Sequence, residues 1–191
     1  RVGGEAGEGT VTLGDFFTRI AARAGLEVYT FRTYPAEIKG GQVLVQARIG
    51  IERVLSEGDE ADVLVAMNEQ AWKENHADFC PKGVLIYDPG GLENPDVQGR
   101  TCYPVPAGQI SQEINWQRGK NLVMVGALAA FFRFGLKAAT EIVLEGMGKH
   151  KDVMENNLQA LEKGYKYVQE HYSEPFPYAL PLPDKPKEHL I

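Results

Sequence analysis

Gly3-Gly4-Glu5-Ala6-Gly7-Glu8-Gly9-Thr10 puts four glycines within seven residues and runs straight into an apolar pattern of helical period. Leu13, Phe16, Phe17, Ile20, Ala21 and Ala24 recur at steps that lay them on one helix face. Gly25 stands where a helix-ending glycine is expected. Glu27 to Phe31 then has the β-branched and aromatic composition of a strand. Arg1-Val2 is short for a strand, yet a glycine loop of this kind follows one. The sequence is therefore expected to begin inside its first strand, with further residues upstream. Strand, glycine loop, helix and strand together predict a βαβ unit with parallel pairing and a right-handed crossover.

Outward from this unit, Arg32 to Gly41 is expected to form a second loop, with Pro35, charged Glu37 and Lys39, and the pair Gly40-Gly41. It leads into Gln42–Ile51, where Val43, Val45, Ala47, Ile49 and Ile51 alternate with Leu44, Gln46, Arg48 and Gly50. That spacing predicts a strand covered mainly on one side. Asp62 to Met67 and Gly83 to Asp88 read as short buried strands, with a helix over Glu69 to His76 between them. Asp88-Pro89-Gly90-Gly91 is a turn. A strand is expected at Thr101 to Val105, a helix capped by Asn121 and running to Phe134, and a helix over Ala138 to Met147. Met154, Leu158, Leu161, Tyr165, Val168 and Tyr172 mark the last helix. These alternations predict an α/β fold, Rossmann-like and doubly wound, with a mostly parallel sheet and helices on both faces. Residues 1–172 read as one domain, and 173–191, with five prolines, as a Pro-rich linker or strap.

Charge narrows the function. Twenty basic against 26 acidic residues leave a net charge of −6, which argues against a nucleic-acid partner, since that needs a basic stripe. The longest apolar run, Leu122 to Phe132, is far short of the roughly 20 residues that span a bilayer, so no membrane partner is expected. Cys80 and Cys102 are too few and too far apart to hold an iron–sulfur cluster or zinc alone. With no signal peptide in view, a reducing, cytoplasmic compartment is the default.

Gly4-Glu5-Ala6-Gly7-Glu8-Gly9 is a near miss to the dinucleotide fingerprint Gly-x-Gly-x-x-Gly. Ala6 stands where the middle glycine lets backbone approach a pyrophosphate. Glu5 and Glu8 put two carboxylates in or beside the phosphate position, where like charges repel. Glu27 is a poor ribose ligand at the start of its strand. In the second loop, Lys39 could meet a phosphate or carboxylate as a point charge, or Glu37 and Lys39 could simply be solvated. His76, His150, His171 and His189 have no metal spacing, and no nucleophile elbow is present.

Taken together, the two loops resemble the γ domain of the 2-oxoacid:ferredoxin oxidoreductases. Gly4 to Gly9 is similar to that family's Gly-x-Gly-Gly-Gln-Gly loop, with Ala6 and Glu8 as departures. Tyr34-Pro35-Ala36-Glu37-Ile38-Lys39-Gly40-Gly41 resembles its Tyr-x-x-Glu-x-Arg-Gly-Gly segment, with lysine for arginine. Gly83 to Pro89, Asn121 to Gly126 and Asn156 to Gly164 are similar as well. The resemblance implies a domain of an enzyme that decarboxylates a 2-oxoacid, with 2-oxoglutarate favoured, uses coenzyme A as co-substrate and reduces ferredoxin. It implies that thiamine diphosphate with Mg2+ and the 4Fe-4S clusters sit in other domains, and that the partners are α and β domains or subunits. It also implies that the tail leads to an α domain. Gly7, Glu8, Gly9 and Thr10, with Glu37, Lys39, Gly40 and Gly41, are the expected functional edge. A retained NAD or FAD module and a purely structural interaction domain are the alternatives.

Overall fold

A computed structural model describes residues 1–34, 41–146 and 151–183, and for Lys151 and Asp152 the backbone only. Six strands form one sheet: β1 (Val2–Glu5), β2 (Glu27–Thr33), β3 (Gln42–Gly50), β4 (Ala61–Ala66), β5 (Phe79–Tyr87) and β6 (Thr101–Pro104), in the order β2-β3-β1-β4-β5-β6. The pairs β1–β4, β4–β5 and β5–β6 are parallel, while β3 runs antiparallel to both of its neighbours. The helices are α1 (Thr10–Arg23), α2 (Glu69–Asn75), α3 (Ala107–Glu113), α4 (Lys120–Phe131), α5 (Leu136–Gly146) and α6 (Lys151–His171).

The α/β, mostly parallel architecture is the expected one, but the first βαβ unit is not closed by direct pairing. β2 lies two places from β1, and β3 fills the gap between them. The reason lies in the alternation of β3. Val43 and Val45 are buried on the side of α1, whereas Arg48, on the other side, is exposed. A strand apolar on one face only suits antiparallel pairing; the central parallel strands β4 and β5 are buried on both faces and read as continuous apolar runs. Leu64, Val65, Ala66, Leu85 and Ile86 are accordingly almost wholly buried.

Helices cover both faces unequally. α1, α4, α5 and α6 share the main core with β1, β3, β4 and β5. On the other face α2 packs against β1 and β4 through Ala71 and Trp72, with Leu92 alongside. α4 is buried on every side from Asn121 to Ala129, between the rest of the core and α6. Its approach to α6 depends on two glycines. A Cβ at Gly126 would run into the Leu161 carbonyl, and one at Gly164 into the Val123 carbonyl.

Three local expectations change. Asn121 does not cap α4; the N-cap is Gly119, at the end of a short 3-10 turn over Gln117–Gly119 that continues into the helix. Asn121 therefore lies in the first turn, buried, and faces the glycine loop. Helix α3, hidden in sequence by Pro104, Pro106 and Gly108, starts where Pro106 serves as N-cap. The glycine stretch is partly strand, since Gly3 and Gly4 pair with Leu44 and Val43 inside β1.

After His171 the chain stays on the domain. Phe176 is buried, its ring centroid 5.0 Å from those of Phe131 and Phe132 and 5.5 Å from that of Tyr103. Tyr178 donates its hydroxyl to the Lys82 carbonyl at 3.0 Å. Residues 173–183 thus form a strap held by an aromatic anchor.

Candidate functional site

After β1 the chain turns one way, to α1 and β2; after β4 it turns the other way, to α2 and β5. The crevice outside the carboxyl ends of β1 and β4 is thus the switch point where open α/β sheets place ligands. The glycine loop lies there.

Gly4 sits under the loop; a Cβ on it would collide with Thr10 Oγ1 and stand 3.2 Å from Glu8 Oε2. Gly7 turns the chain at φ 99° in open space. Gly9, the N-cap of α1, has φ 81°, and a Cβ there would lie 2.5 Å from Asn121 Nδ2. Glu5, Ala6 and Gly7 are exposed, Glu8 and Gly9 half-buried, and Thr10 buried. Backbone is therefore presented outward at the tip and packed tightly at its base.

Glu8 folds back into the crevice. Its Oε2 accepts the Glu5 backbone N–H at 2.8 Å and Asn68 Nδ2 at 2.9 Å. Asn68 is held in turn as the N-cap of α2, its Oδ1 accepting the Ala71 N–H. Lys120, the first residue of α4, is the cation of the cluster. Its ammonium stands 3.0 Å from Asp88 Oδ2 and 3.9 Å from Glu8 Oε1, and donates to the Met67 carbonyl at 3.2 Å. Asp88, at the end of β5 and almost fully buried, also accepts the Gly90 and Gly108 N–H groups. One ammonium facing two carboxylates leaves the crevice without excess positive charge.

Of the expected edge, Gly7, Glu8, Gly9 and Thr10 come together here. Glu37, Lys39 and Gly40 lie outside the described residues, as do Lys149, His150 and His189. Gly41 is described, and its carbonyl accepts the Ala6 N–H at 3.0 Å, so the end of the second loop is bonded to the tip of the first. Glu27 pairs with Gly50 at the amino end of β2, the opposite end of the sheet from the crevice. The sequence reading takes Asp88 as part of a turn and Asn121 as a cap, and does not single out Asn68 or Lys120. Their one signal in sequence is position: Asn68 and Asp88 follow the ends of parallel strands, and Lys120 and Asn121 open a buried helix.

The cluster positions groups and contains no nucleophile with a base. Among the described residues no three His, Cys, Asp or Glu gather as a metal site. The free thiols Cys80 and Cys102 stand on separate strands, β5 and β6, and a 4Fe-4S cluster needs four thiolates, so this chain's own residues do not fit one. Burial pushes the Cys102 thiol above its ordinary value. No described helix is long and apolar enough to cross a membrane.

Comparison with known proteins agrees with this geometry. The chain is 28% identical to the 2-oxoglutarate oxidoreductase subunit KorA of Mycobacterium tuberculosis, over 87% of this chain and 30% of the relative. It is 32% identical to the indolepyruvate oxidoreductase subunit IorB of Archaeoglobus fulgidus, over 85% of this chain and 90% of the relative. Among solved structures it superposes on the 2-oxoglutarate:ferredoxin oxidoreductase from Magnetococcus marinus with 2-oxoglutarate, coenzyme A and succinyl-CoA bound. The TM-score is 0.88 at 38% identity, covering 97% of this chain and 33% of that one. The chain thus spans about a third of two of these three relatives. Residues 1–167 match the family model described as pyruvate ferredoxin/flavodoxin oxidoreductase, and the chain belongs to that family.

Proposed function

We propose that this chain is the non-catalytic γ domain of a thiamine-diphosphate-dependent, cytoplasmic 2-oxoacid:ferredoxin oxidoreductase. The complete enzyme decarboxylates its 2-oxoacid, passes the electrons to ferredoxin and transfers the acyl group to coenzyme A. Thiamine diphosphate, Mg2+ and the 4Fe-4S clusters are carried by the α and β parts. What supports this most is the likeness along 97% of the chain to one third of a 2-oxoglutarate enzyme. That likeness also favours 2-oxoglutarate as substrate, while the 32% identity to an indolepyruvate subunit is in keeping with substrate choice being set in other domains. The strap beyond Tyr172, pinned at Phe176, leads toward a following α domain, so the free connection starts later than residue 173.

In this reading the crevice edge is a docking edge. Gly7, Glu8, Gly9 and Thr10 offer close backbone approach. Gly41 is bonded to Ala6, and Lys39, which with Glu37 and Gly40 precedes it in sequence, supplies positive charge to coenzyme A or to a carboxylate of the partner domain. A Lys39→Ala holoenzyme should show a raised KM for coenzyme A with the thiamine-dependent half-reaction intact. An unchanged KM in a fully assembled enzyme would sink that role. Binding of NAD or FAD has no observation in its favour, because Glu8 already occupies the crevice with its own charge. Calorimetry with either nucleotide should give no micromolar binding.

A further inference from the structure

Helix α2 covers β1 and β4 but leaves the same face of β2 and β3 open. On that face Phe31 pairs with Gln46 and Thr33 with Leu44, and Phe31 is 44% exposed. A groove of about 510 Å³ lies over them, walled by Glu74 near the end of α2, by Asp78, and by Glu57 and Asp59 of the β3–β4 connection. Gln46 holds that connection in place, its Nε2 donating to the Glu57 and Gly58 carbonyls at 3.0 and 3.3 Å. Four carboxylates thus face one cation of the lining, Arg1, and its guanidinium is already spent. It donates to Gln46 Oε1, Asp78 Oδ2 and the Asp59 carbonyl, and the side chain is only 9% exposed. Arg48 lies outside the lining and donates to Ser56 Oγ. Among the described residues the Glu57 and Asp59 carboxylates have no ion-pair partner, and Glu74 is met only by the neutral Gln70 amide. Gln42 Oε1, buried in the same lining, has no hydrogen-bond partner among the described residues either. A buried acceptor without a donor is uncommon and needs a reason.

We propose that this groove docks an arginine-bearing segment of another polypeptide. Four carboxylates against one spent cation select a basic partner over an acidic one. The arriving guanidinium supplies the donors that the carboxylates and Gln42 lack, and its plane rests on the Phe31 ring. Arginine suits the groove better than lysine, because its planar, weakly hydrated fork stacks and donates in several directions at once. A segment suits it better than a free cation, because the groove exposes Phe31 and leaves Leu44 partly exposed beside the charges. Neighbouring residues of the segment cover that apolar surface. The groove shares no residue with the glycine-loop crevice, so its role is independent of the role of that crevice.

The test is an NMR titration of the full chain with the peptide acetyl-Ala-Arg-Ala-Arg-Ala-amide, reading the backbone amides of Leu44 and Asn75. A saturable shift at both reporters is expected, weakening as salt is added. The same peptide with citrulline for arginine, neutral and of the same shape, should bind at least about fivefold more weakly. Glu57→Gln combined with Glu74→Gln should weaken the arginine peptide about fivefold, and Phe31→Leu about threefold. All three positions are exposed, and the citrulline comparison needs no variant should one of them fail to fold. Absence of a saturable shift, equal binding of the citrulline peptide, or a folded double variant that binds as well as the unmodified chain would overturn the proposal. N-acetylarginine amide binding as tightly as the peptide would overturn it too, since the groove would then take a small cation and no segment. None of these outcomes bears on the coenzyme A KM of the Lys39→Ala holoenzyme, which tests the domain's function separately.

Discussion

Gly7 and Gly9 sit two residues apart with similar backbone angles, yet they answer to different constraints. Both have positive φ, which strains any side chain, but only Gly9 also lacks room, because Asn121 Nδ2 occupies the space. Gly7→Ala should therefore cost about 1–2 kcal/mol, the backbone penalty alone. Gly9→Ala should cost clearly more, about 3 kcal/mol, as the contact adds to the strain. Equal losses in urea unfolding would refute the Asn121 contact. Lys120 is the other decisive residue. The Asp88 side chain is 2% exposed, so removing its ammonium leaves a buried carboxylate matched only by two backbone amides. Lys120→Met should destabilise by about 3 kcal/mol, and Asp88→Asn added to it should recover part of that loss in a double-mutant cycle. A simple sum of the two single effects would show that the pair is not coupled.

At the level of elements, α4 is the piece on which the others converge. It lacks a polar side, so it must be enclosed, and α6 encloses it only because Gly126 and Gly164 let the two backbones touch. Gly126→Ala should therefore be far worse than an ordinary glycine replacement in a helix, which alone would gain about 1 kcal/mol from propensity. Here the methyl group meets a backbone carbonyl that cannot turn aside. A net loss of about 3 kcal/mol is expected in thermal or denaturant unfolding, and a neutral or stabilising result would contradict the packing. The period of α1 and α6 was legible in sequence because one face of each is polar. The extent of α4 was legible as an apolar run, but its partner was not, since a glycine does not say which backbone it admits. Helix α3 escaped notice because its prolines and glycine are loop residues by composition, and burial of Ala107, Ile110 and Ser111 fixes it instead.

For the whole molecule, the aromatic seam between β6, α4, α6 and the strap sets a pH limit. Burial, with smaller contributions from nearby Tyr167, Tyr87, Tyr103 and Cys102, raises the Tyr172 hydroxyl well above its ordinary value of 10.0. The neutral hydroxyl donates to the Pro104 carbonyl at 2.6 Å, a bond the phenolate could not make. A pKa raised on folding means that the contribution is full below pH 10 and is lost as pH climbs from there toward the folded value. Stability should fall on the alkaline side of pH 10, and Tyr172→Phe should flatten that fall while lowering stability slightly at neutral pH. A Tyr172→Phe chain with the same alkaline slope would refute this account.

The sequence by itself determined the kinds of element and most of their places, because apolar periodicity, glycine position and turn chemistry are properties of neighbours along the chain. It also placed the glycine loop at the head of the first helix and made nucleotide binding unattractive there, through Ala6, Glu5 and Glu8. Only the tertiary structure decided that β3 enters between β1 and β2, and that Asn68, Lys120 and Asn121 meet that loop, with Asp88 paired to Lys120. Glu8 and Lys120 are 112 positions apart in sequence, and nothing local links them. Strand order depends on which faces are buried once all the helices are in place, and a polar cluster at a switch point depends on strand order. Both are set by packing over long range, which no window of sequence contains.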